Sequence, residues 1–202
     1  MTALGQVVIL NGAPRAGKSS IASVIQESFE GAWVNLGVDV SRGMTPRRYQ
    51  PGIGLRPGEE GHPAALIVSA LYAALYDSIA AHSRAGLNVV VDVGHHNGEL
   101  LSDCARRLVG LPVFVVGVRC PLEAIMARRN ASPPGRYAAG TPETPVPEPV
   151  RRWQEAVHVP GVYDLELDTS VLSPAECADA IRRRLADGVP ATAVVRLAQL
   201  GA

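Results

Sequence analysis

The chain has 202 residues, of which 47% are hydrophobic, so it is long and apolar enough for one folded domain with a sizeable core. Basic and acidic residues each number 19, so the formal net charge is zero and no overall charge favours nucleic acid or an anionic membrane as partner. The three cysteines form no Cys-x-x-Cys pair, and no leader or membrane-length apolar segment begins the sequence. We therefore expect a soluble cytoplasmic protein with a single domain over residues 1–202 that binds neither membrane nor nucleic acid.

The first apolar run, residues 7–10, predicts a buried strand, and a glycine-rich motif follows it. Residues 12–19 read Gly-x-x-x-x-Gly-Lys-Ser, the phosphate-binding loop (P-loop) pattern, and apolar residues at helical spacing come next. The two glycines let backbone N–H groups turn towards phosphate oxygens, and the helix start adds its positive dipole end. Lys18, the only lysine in the chain, can bind the β- and γ-phosphates, and the Ser19 hydroxyl can ligate Mg²⁺.

The motif therefore predicts a site for ATP and Mg²⁺. The residues assigned to nucleotide binding are Gly12, Ala13, Pro14, Arg15, Ala16, Gly17, Lys18, Ser19 and Ser20.

Strand and helix patterns alternate along the remainder of the chain. Further strands are predicted over 33–38, 87–92, 113–118 and 163–168. Helices are predicted over 20–29, 64–85, 98–109, 121–129, 150–157 and 174–185, and the tail from 191 to 202 can form one more. This alternation predicts an α/β fold with a doubly wound, five-stranded parallel sheet.

Two segments are too rich in proline and glycine for a regular helix. Residues 41–63 form the first, and long loops in compact domains are usually functional, so we assign this segment to substrate binding. An irregular surface loop is the alternative. The second segment, residues 132–149, carries six prolines and belongs to a predicted lid over residues 128–150.

Two aspartates follow predicted strands at the sheet edge where ligands of doubly wound folds bind. Asp92 follows four apolar strand residues, the Walker B layout, and from there it can hold Mg²⁺ directly or through water. A loop-capping aspartate is the alternative. Asp39 follows the second strand, where a carboxylate can orient an acceptor hydroxyl and accept its proton. Its position alone fits a turn aspartate equally well.

Three arginines, Arg128, Arg129 and Arg136, flank the start of the proline-rich segment. Arginines on a lid can close over a triphosphate and neutralise the charge that develops on the γ-phosphoryl group. Each of them taken singly fits a solvated surface charge better than a catalytic group, but as a set in this location they favour one catalytic arginine. The pair His95-His96 suggests a metal, but no matching ligand cluster is near in sequence, so we expect substrate contact or a structural hydrogen bond there.

Several short motifs, taken together and in order, resemble the chloramphenicol phosphotransferase family. They are Leu10-Asn11-Gly12 through Gly17-Lys18-Ser19, Gly37-Val38-Asp39, Gly117-Val118-Arg119-Cys120, Val157-His158, and Tyr163-Asp164 leading to Asp168-Thr169. The resemblance extends from about residue 6 to residue 186. It implies a P-loop kinase type of fold and an ATP-dependent O-phosphotransferase that inactivates an antibiotic by phosphorylating a hydroxyl.

The resemblance also implies roles for particular residues. Asp39 matches the family's catalytic base, Arg136 matches a lid arginine by position, and Asp168 and Thr169 would lie near the adenine. Lys18 and Arg136 would assist transfer, and Arg128 would contact the nucleotide.

The sequence departs from the family's best-known member in residues 41–63 and 132–149, where substrate should bind, so another antibiotic or a metabolite is an open alternative as the acceptor. A nucleoside kinase is a further alternative. A nucleotide switch is another, although the guanine-reading Asn-Lys-x-Asp and the Asp-x-x-Gly of switch proteins are absent from the sequence. A nucleic-acid kinase is disfavoured by the zero net charge. The leading prediction is a small-molecule phosphotransferase.

Overall fold

The computed structural model describes residues 3–50, 67–133 and 135–200. A five-stranded sheet runs through these residues, with strand order β2-β3-β1-β4-β5 and every neighbouring pair parallel. The strands are β1 (Val7–Asn11), β2 (Trp33–Asn35), β3 (Asn88–Val93), β4 (Val113–Arg119) and β5 (Leu165–Asp168). The predicted α/β fold with a five-stranded parallel sheet is confirmed.

Helices connect and cover the strands. They are α1 (Lys18–Ser28), α2 (Val38–Gly43), α3 (Val68–Arg84), α4 (Gly98–Leu108), α5 (Leu122–Asn130), α6 (Glu148–Ala156), α7 (Pro174–Ala186) and α8 (Ala193–Leu200), with a 3₁₀ turn at Arg47–Tyr49. No helix within the described ranges combines the length and the apolar character needed to cross a bilayer.

Strand β1 separates two apolar cores, one on each face of the sheet. Val8 and Leu10 pack on the side of α1 and α7, whereas Val7 and Ile9 pack on the side of α3, α4 and α8. All four side chains are at most 3% exposed. Burial on both faces explains why the strands are continuously apolar rather than alternating.

The chain after β2 differs from its prediction. The strand was predicted to reach Val38, but it ends at Asn35, and α2 begins at Val38. The side-chain oxygen of Asn35 accepts a hydrogen bond from the Gly37 amide (2.9 Å), and this local bond turns the chain out of the sheet. Asp39 therefore lies in the first turn of a short helix.

The prediction that residues 41–63 contain no regular helix is wrong at its start, because α2 extends to Gly43. The reason is that the prolines and glycines become dense only after Met44. Residues 51–63 of the predicted substrate segment, and the first residues of the predicted helix 64–85, lie outside the described residues.

Parallel register aligns the carboxyl ends of the three central strands. Leu10 of β1 is paired with Asp92 of β3, and Asn11 is paired with Gly117 of β4. The glycine-rich loop therefore leaves the sheet beside Asp92 on one side and beside the end of β4 on the other.

Helix α7 begins with a capping box. The Ser173 hydroxyl accepts a hydrogen bond from the Glu176 amide (3.3 Å), and the Glu176 carboxylate accepts one from the Ser173 amide (2.8 Å).

We expect Ser173→Ala to lower the free energy of unfolding by about 1 kcal/mol, because one amide of the first turn loses its partner. Urea denaturation measures this change. In the control variant Ser23→Ala, an exposed serine within α1 is replaced, and the expected change is within about 0.5 kcal/mol. Equal losses in both variants would contradict the role of the capping box.

Candidate functional site

The glycine-rich loop lies between β1 and α1, and its shape depends on both glycines. A Cβ at position 12 would lie 2.4 Å from the Val118 carbonyl oxygen, so only glycine allows β1 and β4 to come this close. Gly17 has φ of 94°, in the left-handed region that favours glycine, and α1 begins at the next residue. Arg15 adopts a φ of 74°, which is unusual for a side-chain-bearing residue. The loop therefore turns sharply and leads directly into a helix N-terminus.

A lysine, a serine and an aspartate meet at the end of this loop. The Lys18 ammonium nitrogen lies 3.0 Å from the Ala13 carbonyl oxygen and 3.5 Å from Oδ1 of Asp92. The Ser19 hydroxyl donates a hydrogen bond to Oδ2 of the same carboxylate. Lys18 is 7% exposed, whereas Ser19 is exposed. A buried cation thus lies next to two oxygen-bearing groups of the kind that Mg²⁺ prefers.

Asp39 lies on the β3 side of this cluster. The link between them is Gly37, since a Cβ there would be 3.1 Å from the Cβ of Asp92. Asp39 is exposed and makes no hydrogen bond within the described ranges. Burial and the neighbouring carboxylate of Asp39 raise the pKa of Tyr72, on α3, to about 12. Tyr72 was not predicted from the sequence, because its proximity to Asp39 arises only when α3 packs against the sheet.

Arg128 and Thr169 meet the other side of the loop. An Nη atom of Arg128 lies 2.5 Å from the Thr169 carbonyl oxygen, and the Thr169 hydroxyl donates to the Ala16 carbonyl (2.7 Å). Nη2 of Arg15 in turn donates a hydrogen bond to the Arg128 carbonyl (2.6 Å). The structure thus brings the predicted residues Arg128 and Thr169 to the P-loop.

Asp168 ends β5 next to this group. Its carboxylate accepts hydrogen bonds from the Ser170 hydroxyl (2.6 Å) and amide (2.8 Å), and these bonds lower the pKa of Asp168. The side chain of Asp168 therefore shapes the turn after β5 and is not itself bonded to the P-loop.

The two remaining lid arginines occupy different environments. Arg129 is 2% exposed and donates to the Ala138 carbonyl, with its Nη2 at 2.8 Å. Arg136 is exposed, and its guanidinium lies 5.6 Å from the centroid of the Tyr137 ring. Arg129 therefore holds the backbone of the proline-rich segment, whereas the Arg136 side chain is exposed.

A buried amide joins the loop to its surroundings. Nδ2 of Asn11 donates to the Val157 carbonyl (2.8 Å) and to the Tyr163 hydroxyl (3.0 Å), and Oδ1 accepts from the His95 amide (2.8 Å). His158 extends the network, with Nδ1 at 2.8 Å from the Tyr163 hydroxyl. Burial, followed by the positive charge of Arg119, lowers the pKa of His158 to about 4, so the imidazole is neutral. Asn11, His158 and Tyr163 appeared in the sequence motifs, but nothing in their spacing predicted this network.

The adjacent histidines face different surroundings. His95 is fully buried, with Nε2 at 2.8 Å from the Tyr76 hydroxyl, and burial lowers the pKa of His95 to about 3. The His96 ring lies over Trp153, with centroids 3.9 Å apart, and burial also lowers the pKa of His96. The structural hydrogen bond expected for this pair is made by His95.

Residues 5–186 match the family model described as "Chloramphenicol phosphotransferase-like protein". The chain belongs to this family. A curated relative, named "Putative O-phosphotransferase Rv2636" in Mycobacterium tuberculosis, is 29% identical over 189 residues, which cover 86% of this chain and 79% of the relative. The family predicted from the motifs is thus confirmed, and it supports a phosphotransferase.

Solved structures share the fold at low sequence identity. The APS kinase CysC of Mycobacterium tuberculosis, in complex with AMPPNP and APS, superposes with a TM-score of 0.62 at 17% identity, over 92% of this chain and 99% of the other. The Deinococcus radiodurans tunicamycin resistance protein gives a TM-score of 0.55 at 18% identity, over 93% and 98%. The predicted P-loop kinase type of fold is confirmed.

Protonation of His95 is expected to make stability depend on pH. The pKa of His95 is about 3 in the folded chain, against an ordinary value of about 6.5, so between these values only the unfolded chain binds the proton. We expect this group alone to lower the free energy of unfolding by about 2 kcal/mol between pH 7.5 and pH 5. Urea denaturation at both pH values measures the loss, and imidazole resonances report the titration. Titration of His95 near pH 6.5 in the folded protein would contradict the prediction.

Proposed function

We propose that this protein transfers the γ-phosphoryl group of ATP to a hydroxyl group of a small molecule. The observation that carries the proposal is the meeting of Lys18, Ser19 and Asp92 at the P-loop, with Gly37 holding the segment of Asp39 against Asp92. A cation suited to phosphates, oxygen ligands suited to a metal, and the Asp39 carboxylate, which makes no hydrogen bond within the described ranges, thus lie at one edge of the sheet. Membership of the family supports the same class of reaction.

The residues present fit ATP and Mg²⁺. The Ser19 hydroxyl and the Asp92 carboxylate, already in direct contact, would hold Mg²⁺ directly or through water. The chemistry that Mg²⁺ would supply there is neutralisation of the charge that develops on the phosphate oxygens during transfer. Lys18 would exchange the Ala13 carbonyl for a phosphate oxygen. Within the described ranges Arg15 and Arg136 form no ion pair with a carboxylate, so their charges are available to a polyphosphate.

Three further roles complete the proposal. Asp39 acts as the general base that orients the acceptor hydroxyl and takes its proton, and Arg136 contacts the γ-phosphoryl group from the lid. Arg128, with Asp168 and Thr169, lies on the adenine side of the nucleotide. The enzyme works in the cytoplasm, where ATP is abundant.

The acceptor class proposed first is an antibiotic that bears a hydroxyl group. The description of the family and the name of the Deinococcus resistance protein suggest this class. A metabolite or a nucleoside is the alternative acceptor.

A screen tests the function directly. Antibiotics, nucleosides and hydroxylated metabolites are incubated with the protein, ATP and Mg²⁺, and mass spectrometry detects the gain of one phosphate. Phosphorylation of a small molecule is the expected result. ATP hydrolysis without any phosphorylated acceptor would instead favour a nucleotide switch.

Asp39→Asn tests the proposed base. We expect turnover to fall by about 10²- to 10⁴-fold, because the amide cannot take the acceptor proton, while nucleotide affinity stays within about twofold. A γ-phosphate transfer assay and calorimetric titration with nucleotide measure the two quantities. Glu30→Gln, at an exposed carboxylate beyond the far end of α1, is the matched control and should keep wild-type turnover. Near-normal turnover of Asp39→Asn would remove this role from Asp39.

Lys18→Ala tests the phosphate site. We expect affinity for Mg·ATP to fall by about 10- to 100-fold, which corresponds to about 1.5–3 kcal/mol for a hydrogen bond to a charged group. Equilibrium titration measures it. Arg196→Ala, which removes an exposed cation from α8, is the control and should bind as the wild type does. Unchanged affinity and rate in Lys18→Ala would count against the P-loop assignment.

A further inference from the structure

Three guanidinium groups surround one tyrosine ring beside the P-loop. The carbon atoms at their centres lie 5.1 Å (Arg15), 5.3 Å (Arg129) and 5.6 Å (Arg136) from the centroid of the Tyr137 ring. These distances are within the range of cation–π attraction. The three arginines come from separate segments: the P-loop, the last turn of α5, and the chain that follows α5. The Tyr137 ring is therefore the common contact of the P-loop and the lid.

The backbone next to Tyr137 is held by one of these arginines. Arg129 is 2% exposed and donates to the Ala138 carbonyl from both Nε (3.3 Å) and Nη2 (2.8 Å). These bonds hold the carbonyl of the residue that follows Tyr137. Because Arg129 belongs to α5 and is buried, the ring is anchored to the body of the fold rather than to an independent loop.

Hydrogen bonds hold only part of the Arg15 guanidinium, so its position also depends on the Tyr137 ring. Its Nη2 donates to the Arg128 carbonyl (2.6 Å), but its Nε is buried and has no hydrogen-bond partner within the described ranges. Burial, and then the neighbouring charge of Arg15, lower the pKa of Arg129, so the two cations repel each other. The negative face of an aromatic ring offsets such repulsion without adding a carboxylate that would compete with phosphate.

We propose that Tyr137 is a positioning residue that holds Arg15 of the P-loop and Arg136 of the lid around the same polyphosphate. The inference rests on the proposed function, because it takes a nucleoside triphosphate as the ligand of these arginines. Without the ring, the like charges of Arg15, Arg129 and Arg136 separate. Part of the binding free energy of the nucleotide is then needed to bring Arg15 and Arg136 together, so the nucleotide binds more weakly.

Nucleotide binding without any acceptor tests this inference. Calorimetric titration with AMP-PNP and Mg²⁺ compares the wild type with Tyr137→Leu and Tyr137→Phe. We expect Tyr137→Leu to weaken binding by about tenfold, the effect of losing about two cation–π contacts, and Tyr137→Phe to stay within about twofold because the ring is kept. The melting temperature of each variant shows whether the fold is intact.

The matched control removes a ring from a different arginine. The Arg182 guanidinium lies 4.6 Å from the Phe29 ring centroid, just beyond the C-terminal end of α1. Phe29→Leu therefore loses a cation–π contact of the same kind away from the P-loop, and it should bind AMP-PNP as the wild type does.

The outcomes separate this inference from the proposed function. If the wild type binds no AMP-PNP, the proposed function fails. If the wild type binds and Tyr137→Leu binds equally well, only the role of Tyr137 fails. Equal weakening in Tyr137→Phe and Tyr137→Leu would also overturn it, because the hydroxyl and not the ring would then matter. With an acceptor from the screen, the expected signature is a higher KM for ATP in Tyr137→Leu that Tyr137→Phe restores.

Discussion

The site depends on the three hydrogen bonds made by the side-chain amide of Asn11. Asn11 follows the last apolar residue of the central strand, and its three hydrogen bonds reach the chain after β3, the chain after α6 and the Tyr163 hydroxyl before β5. A buried amide with three satisfied bonds is rigid, since each broken bond would leave an unpaired polar group in the core. Through this one residue, the entrance of the P-loop is aligned with the segments on both sides of it.

Charge is distributed unevenly in a chain whose net charge is zero. Arg15, Arg128 and Arg136 lie on the α5 side of the P-loop, whereas the carboxylates of Asp39 and Asp92 lie on the β3 side. A polyphosphate bound between them would meet guanidinium groups on one side and carboxylate oxygens on the other. The local field at the P-loop, rather than the total charge, therefore differs between its two sides.

Local patterns were enough to predict the sheet, the P-loop and Asp92, because apolar runs and the glycine-rich motif act over a few neighbouring residues. The end of β2 was mispredicted because the Asn35 side chain turns the chain by a bond that apolar periodicity does not detect. Tyr72 and Tyr137 could not be predicted, since the electrostatic interaction of Tyr72 with Asp39 and the contacts of Tyr137 with the arginines depend on how distant segments pack. Residue types and spacing predicted which side chains the structure brings together at the P-loop, while the contacts that support them required the three-dimensional structure.

The close packing of Gly37 on Asp92 limits how this site can diverge. Any side chain at position 37 would meet the Cβ of Asp92 at 3.1 Å and the Asn35 side-chain oxygen at 3.2 Å. A substitution there would therefore press on the Asp92 side chain and on Asn35, whose side-chain oxygen turns the chain towards Asp39. A change at this one position would therefore affect both aspartates of the candidate site together.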